Sequence, residues 1–186
     1  MKIDELSITG VYLIEPKVHQ DERGFFCRTF CAETFADNGL ETQFVQANHS
    51  KSASQYTLRG MHYQLPPAQE VKLVKCIKGR IYDVVLDLRV DSETFGRWIA
   101  QELSEDNRKM LYVPRGCAHG FMTLTPDTEV TYFVSNSYAP ELERGVRWND
   151  PKFNIQWPHS PCMLSERDQG HPHFDFFYHL NIVTVN

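Results

Sequence analysis

The chain has 186 residues, 24 acidic against 19 basic side chains, and a net charge of -5 with histidine neutral. That length suits one globular domain with a sizeable buried core, and the acidic balance leaves no basic stripe for nucleic acid. No apolar run approaches a membrane span, and Met1-Lys2-Ile3-Asp4-Glu5-Leu6 lacks the apolar core of a secretion signal, so a cytoplasmic location is expected.

In chain order, Ser7 to Pro16 carries Ile8-Thr9-Gly10-Val11-Tyr12-Leu13-Ile14 and predicts a strand, rich in β-branched and aromatic residues and stopped by proline. Asp21-Glu22-Arg23-Gly24 is a turn. Phe25 to Phe30 continues as strand, followed by a short helix over Ala32 to Asp37 that ends at Asn38-Gly39. Phe44 to Ser50 predicts a strand whose Gln46, Asn48 and Ser50 point one way, a polar face suited to a cavity wall or to solvent.

Leu58-Arg59-Gly60-Met61-His62-Tyr63-Gln64 is strand-like. Strict alternation puts Gly60, His62 and Gln64 on one face and Arg59, Met61 and Tyr63 on the other. Val71 to Ile77 and Arg80 to Leu88 flank Lys78-Gly79 and predict a hairpin, with Lys72 on the face of Val74 and Cys76. Trp98 to Leu103, Met110 to Val113, Gly120 to Leu124 and Glu129 to Ser135 are further short strands. Many short strands with almost no helix predict an all-β antiparallel fold, and a jelly roll is the architecture chosen. Beyond Tyr138 the chain turns irregular. The segment 170–186 is an aromatic tail to a core of about 7–169, ending in Ile182-Val183-Thr184-Val185 as a candidate last strand.

The five cysteines, Cys27, Cys31, Cys76, Cys117 and Cys162, form no CxxC pair and are odd in number, so reduced and mostly buried thiols are expected rather than a disulfide framework. A catalytic metal is not expected. The partner two residues beyond His62 is Gln64, and Lys72 offers an ammonium where a carboxylate would help. His171 and His173 form an HxH pair for which a surface or stacking role is the default. Cys117 shares a face with His119, but no positive neighbourhood is evident to activate its thiol. His62 as a proton-transfer group fits best, with a structural, hydrogen-bonded histidine as the bland alternative.

The chain resembles the dTDP-4-dehydrorhamnose 3,5-epimerases and related cupin-type nucleotide-sugar epimerases. The resemblance rests on Asp21-Glu22-Arg23-Gly24-Phe25-Phe26, Gln46-Ala47-Asn48-His49-Ser50, the Leu58–Gln64 stretch, Lys72-Leu73-Val74, Pro114-Arg115-Gly116-Cys117-Ala118-His119-Gly120-Phe121, Trp148-Asn149-Asp150-Pro151 and Leu164-Ser165-Glu166-Arg167-Asp168, met in the family's order. It implies a homodimeric jelly roll that needs no metal or redox cofactor and epimerises a nucleoside-diphosphate 4-keto-6-deoxyhexose at carbons 3 and 5.

Carried over residue by residue, His62 looks like the base and Asp168 its carboxylate partner. Tyr132 looks like the opposing acid, and Lys72 and His119 look like the enolate stabilisers. Arg59 falls near the diphosphate or sugar. Arg23, Gln46, Asn48, Glu143 and Arg167 match nucleotide-sugar contacts, while Phe26 and Tyr138 match positions that pack on the base. Two departures stand out: Arg28 where the family usually has glutamate, and the aromatic tail from His171. The rival readings are a single-centre 3- or 5-epimerase on a dTDP- or CDP-linked sugar, a non-catalytic sugar-nucleotide binding protein, and a metal-dependent cupin.

Overall fold

The computed structural model describes residues 1–181. Their elements are β1 (Lys2–Glu5), β2 (Tyr12–Glu15), β3 (Val18–Asp21), β4 (Gly24–Cys27), α1 (Ala32–Asp37), β5 (Gln46–Ser52), β6 (Leu58–Gln64), β7 (Lys72–Lys78), β8 (Arg80–Asp87), β9 (Trp98–Ser104), β10 (Met110–Val113), β11 (Cys117–Thr123), β12 (Thr128–Val134), β13 (Glu143–Gly145), α2 (Glu166–Gln169) and α3 (Phe176–Leu180). A six-stranded sheet ordered β1-β2-β10-β7-β12-β5 faces a five-stranded sheet ordered β13-β6-β11-β8-β9, and β3-β4 form a separate hairpin. The architecture is the antiparallel jelly roll that the many short strands predict.

Alternation along each strand sorts its side chains into layers. Leu13, Val74, Leu111 and Val130 of the six-stranded sheet meet Ile81, Val85, Cys117 and Phe121 of the other in one core between the sheets. On the outer face of the six-stranded sheet, Leu73, Met110 and Tyr112 are covered by Phe35 of α1 and by Leu40. Asn38 caps that helix, and Gly39, at φ +69°, turns the chain away from it. On the outer face of the five-stranded sheet, Met61, Tyr63, Val84 and Leu86 lie under Val146, Phe153, Ile155 and Phe174. The irregular chain beyond Tyr138 is therefore the second cover of the sandwich.

Several local expectations fail for identifiable reasons. The run Ser7 to Pro16 is not one strand, because Gly10 at φ +83° turns between β1 and β2. The strand at Phe25 stops at Cys27. The predicted hairpin at Lys78-Gly79 is not a hairpin: β7 pairs with β10 and β12, whereas β8 pairs with β11 and β9 in the opposite sheet. Gly79 marks the step between the sheets, where a Cβ would sit 2.4 Å from the Thr125 hydroxyl at φ +75°. A turn signal between two apolar runs fixes a change of direction without fixing which strands then pair. The candidate strand at Ile182–Val185 lies outside the described residues.

Candidate active site

The site lies between the two sheets near one end of the core. Each sheet contributes one wall. From the six-stranded sheet come Lys72 of β7, Tyr132 of β12 and the polar face of β5; from the five-stranded sheet come Arg59 and His62 of β6 and His119 of β11. Arg59, His62, Lys72, His119, Tyr132, Arg167 and Asp168 line a cavity of about 460 Å³. It shares His62, Lys72 and Tyr132 with a second recess of about 320 Å³, walled also by Gln46, Asn48, Tyr138 and Glu143. A larger depression of about 740 Å³ opens by Arg89, Asp91 and Glu93, but it contains no histidine to act as a base, and Arg89 is already paired with Asp87.

His62 and His119 are directly opposite each other across the β6–β11 ladder. Just beyond this pair the register slips, and His119 to Phe121 spans two residues while His62 to Arg59 spans three. That extra residue on β6 overturns the simple alternation, so Arg59 lines the same cavity as His62 instead of the opposite face. Gly60 makes the slip possible. At φ +115°, a Cβ there would lie 2.5 Å from Gly120 Cα and 2.7 Å from the His119 carbonyl oxygen. The glycine is required by the close approach of β6 and β11.

Asp168 reaches the site from α2, a single turn capped by the Ser165 hydroxyl, which accepts from the Asp168 backbone N–H. Its Oδ1 accepts from His62 Nε2 at 2.6 Å, and its Oδ2 accepts from the Gly60 N–H at 3.3 Å. Burial disfavours the Asp168 carboxylate, but the neighbouring His171 and His62 imidazoles and the Gly60 N–H more than reverse this and hold it well below the usual carboxylate range. An anionic Asp168 fixes the proton on Nε2, which leaves Nδ1 of His62 as the basic nitrogen.

The second histidine has its own carboxylate. Asp83, fully buried in the middle of β8, accepts from His119 Nε2 at 2.5 Å. With Nε2 committed, His119 can donate to a ligand oxygen only from Nδ1 of its doubly protonated form. Lys72 Nζ donates to the His62 carbonyl oxygen at 3.2 Å and lies 3.3 Å from Glu70, which also accepts from Gln64. The Tyr132 hydroxyl is kept protonated because burial pushes its pKa up, opposed in part by the Arg59 charge. Among the described residues Arg59 donates only to neutral acceptors, the Ser52 hydroxyl and the Lys51 carbonyl oxygen, so none of their carboxylates takes its charge. At the mouth, Glu143 accepts from the Tyr138 hydroxyl at 2.5 Å and pairs with Arg167, while Gln46 accepts from the Tyr138 N–H.

Eleven of the thirteen site residues named from sequence therefore lie around one connected space; two do not. Arg23 and Phe26 sit on the β3–β4 hairpin, against different depressions, with Arg23 paired to Asp21. Arg28 lies on that side as well. Cys117 is no nucleophile: burial beside Asp87 pushes its thiol up to about 12. His171 is not on the surface but buried, edge-on to the His62 ring at 6.0 Å between centroids, whereas His173 is exposed. Asp83 and Glu70 escaped sequence reading, and the sequence marks His171 only as half of an HxH pair with a surface or stacking role. Asp83 left one signal, a lone carboxylate within Ile81-Tyr82-Asp83-Val84-Val85-Leu86. No pattern in the sequence around Glu70 marks it.

A two-sheet antiparallel jelly roll with ionisable groups turned inward is the architecture of the cupin-type epimerases. The family model described as dTDP-4-dehydrorhamnose 3,5-epimerase matches residues 5–175, and the chain belongs to that family. A Shigella flexneri dTDP-4-dehydrorhamnose 3,5-epimerase is 43% identical over 169 residues, covering 90% of this chain and 93% of that one. Among solved structures, the Bacillus anthracis dTDP-4-dehydrorhamnose 3,5-epimerase with TDP and PPi bound superposes with a TM-score of 0.90 at 42% identity, covering 93% of this chain and 99% of that one. A Legionella pneumophila dTDP-6-deoxy-D-glucose-3,5-epimerase in complex with dTDP-4-keto-L-rhamnose has a TM-score of 0.87 at 37% identity, covering 91% and 90%. The protein is accordingly an isomerase of the carbohydrate-epimerase kind, acting on a nucleotide sugar.

Proposed function

We propose that the protein inverts carbons 3 and 5 of a dTDP-linked 4-keto-6-deoxyhexose by proton removal and return through an enolate. One observation carries this reading: His62 and Tyr132 line the same cavity from opposite sheets, so a sugar ring between them has a base on one face and an acid on the other. Carbons 3 and 5 both flank the ketone. Removing a proton from either sends the carbon–hydrogen electron pair into the carbonyl, which becomes an enolate oxygen. His62 Nδ1 accepts the proton, and Asp168 stabilises the imidazolium that results. The Lys72 ammonium and a doubly protonated His119 hold the oxyanion. Tyr132 returns a proton from the other face, which inverts the centre, and its phenolate recovers a proton from solvent.

Arg59 takes the diphosphate, as an arginine with no carboxylate partner among the described residues can. Gln46, Asn48, Tyr138, Glu143 and Arg167 bind the rest of the nucleotide sugar. Arg23 and Phe26 serve the pocket of a second copy. This makes the working form a homodimer, and the exposed Phe25 and Phe26 side chains on that hairpin support it. The protein works as one domain in the cytoplasm, without metal or redox cofactor, nucleic acid or membrane. None of the helices among the described residues is long and apolar enough to cross a bilayer.

The test is to incubate the protein with dTDP-4-keto-6-deoxyglucose in deuterated water and to read the product by NMR. Deuterium and inversion at both carbons support the reading. Incorporation at one carbon makes the protein a single-centre epimerase, and none across dTDP-, CDP- and GDP-linked substrates refutes it.

A further inference from the structure

His171 is a buried histidine at this site to which the epimerase chemistry assigns no proton transfer and no substrate contact. Its side chain is 8% exposed, and its Nε2 is buried without a hydrogen-bond partner among the described residues, 3.7 Å from Asp168 Oδ1 and too far to donate to it. A buried imidazole nitrogen facing a carboxylate is costly to leave unpaired. Asp168 Oδ1 is also the atom that His62 Nε2 approaches at 2.6 Å, and the ligand-type atoms of His62, Asp168 and His171 all fall within 4.8 Å of one another. The set differs from the Gln64 and Lys72 face that argued against a catalytic metal. Here two imidazoles and one carboxylate converge, and no ammonium is among them.

We propose that His62, Asp168 and His171 form a two-imidazole, one-carboxylate site for a divalent transition-metal cation, zinc above all, whose occupation switches the epimerase off.

Zinc takes imidazole nitrogen and carboxylate oxygen at about 2.0–2.2 Å, which places tetrahedral ligands about 3.3–3.6 Å apart. The His171 to Asp168 separation, 3.7 Å, needs to close only slightly. The His62 to Asp168 contact must open by less than about 1 Å, as the cation replaces the shared proton. That proton moves to Nδ1: His62 remains neutral, with metal on Nε2 and hydrogen on Nδ1, so no proton is lost overall. The Nδ1 lone pair that abstracts the substrate proton is thereby consumed. Asp168, now a ligand, no longer stabilises an imidazolium. Two nitrogen donors with a single negative charge favour zinc over magnesium, which prefers an all-oxygen shell.

Inhibition rests on the proposed base role of His62, but binding does not, so the two are measured separately. Chelator-stripped full-length protein carrying Cys162→Ser, which removes the exposed thiol, is titrated with Zn2+ by calorimetry and with Co2+ by visible absorption. One Zn2+ per chain is expected, with the ligand-field bands of a four-coordinate Co2+ site and no competition from Mg2+. His171→Phe, which keeps a ring against His62, weakens Zn2+ binding by at least about 100-fold, since even a ligand's outer partners cost 10–100-fold. His171→Gln does the same, and a native thermal melt for either variant shows that the loss is not unfolding. In zinc buffers the ratio of activities with and without Zn2+ falls more than about tenfold for the parent, is restored by chelator, and stays near one for both variants. Absence of stoichiometric binding in the parent, or unchanged Zn2+ affinity in a folded His171→Phe, overturns the site. Tight binding at this site with activity unaffected leaves the cation site standing and contradicts His62 as the base.

Discussion

Asp168 and His62 are 106 positions apart in sequence, yet the Asp168 carboxylate accepts from the His62 ring at 2.6 Å. The contact depends on a four-residue helix whose N-cap, Ser165, holds the Asp168 backbone in place. Asp168→Asn keeps an acceptor for the Gly60 N–H but removes the charge that stabilises a protonated His62. Steady-state kinetics are expected to show kcat down by on the order of 10²–10⁴-fold with KM changed far less, since general acid–base contributions fall in that range. A large rise in KM with kcat preserved would place Asp168 in binding instead.

Asp83 makes the matching test for His119. With the carboxylate on Nε2, the imidazolium that donates to the enolate oxygen is favoured; with an amide it is not. Asp83→Asn is expected to lower kcat by about 10²–10³-fold, the usual cost of losing one oxyanion donor. KM is expected to change far less, since the lost contact is made to the reacting oxygen. An unaltered kcat would mean that Asp83 serves only the core.

The fold was legible where one strand's chemistry decides the outcome. The Ala32–Asp37 helix, the Met110–Val113 strand and the polar inner face of Gln46, Asn48 and Ser50 follow from local pattern alone. What was not legible depends on pairing. Lys78-Gly79 reads as a hairpin turn because nothing local reports that β8 leaves for the other sheet. Arg59 reads as facing away from His62 because a register slip against β11 is invisible from β6 by itself. The roles of His62, Tyr132 and Lys72 came from a family resemblance, whereas the burial of His171 against the His62 ring follows only from the fold.

The register slip yields a prediction of its own. Gly60→Ala forces a Cβ to within 2.5 Å of Gly120 Cα on a backbone at φ +115°. Positive φ alone costs of order 1–3 kcal/mol for a residue with a side chain, and the clash adds to it. Denaturant unfolding should show a loss of at least about 2 kcal/mol, and His62, two residues away, should lose activity in step. Wild-type stability in the variant would mean that β6 and β11 separate more easily than their contact implies.

Acid sensitivity is expected from Asp87 as well as Asp168. Burial disfavours the Asp87 carboxylate, but Arg89, Ser92 and Thr94 bring its pKa down from 3.8 to about 2. A depressed carboxylate stabilises the fold above its unfolded value and loses that contribution as pH falls through the folded one. The window is therefore about pH 4 to 2, and the contribution is about 2 kcal/mol. Thermal melts across that window should fall less steeply for Asp87→Asn than for the parent; parallel slopes would contradict the assignment.

On the proposed mechanism base and acid act from opposite walls of one cavity, and deuterium exchange separates them. With a dTDP-linked 4-keto-6-deoxyhexose in deuterated water, His62→Ala is expected to show neither exchange nor inversion. Tyr132→Phe is expected to show deuterium entering with configuration retained, because the base still works and the opposing proton is missing. Full exchange and inversion in His62→Ala, or unimpaired inversion in Tyr132→Phe, would contradict these roles.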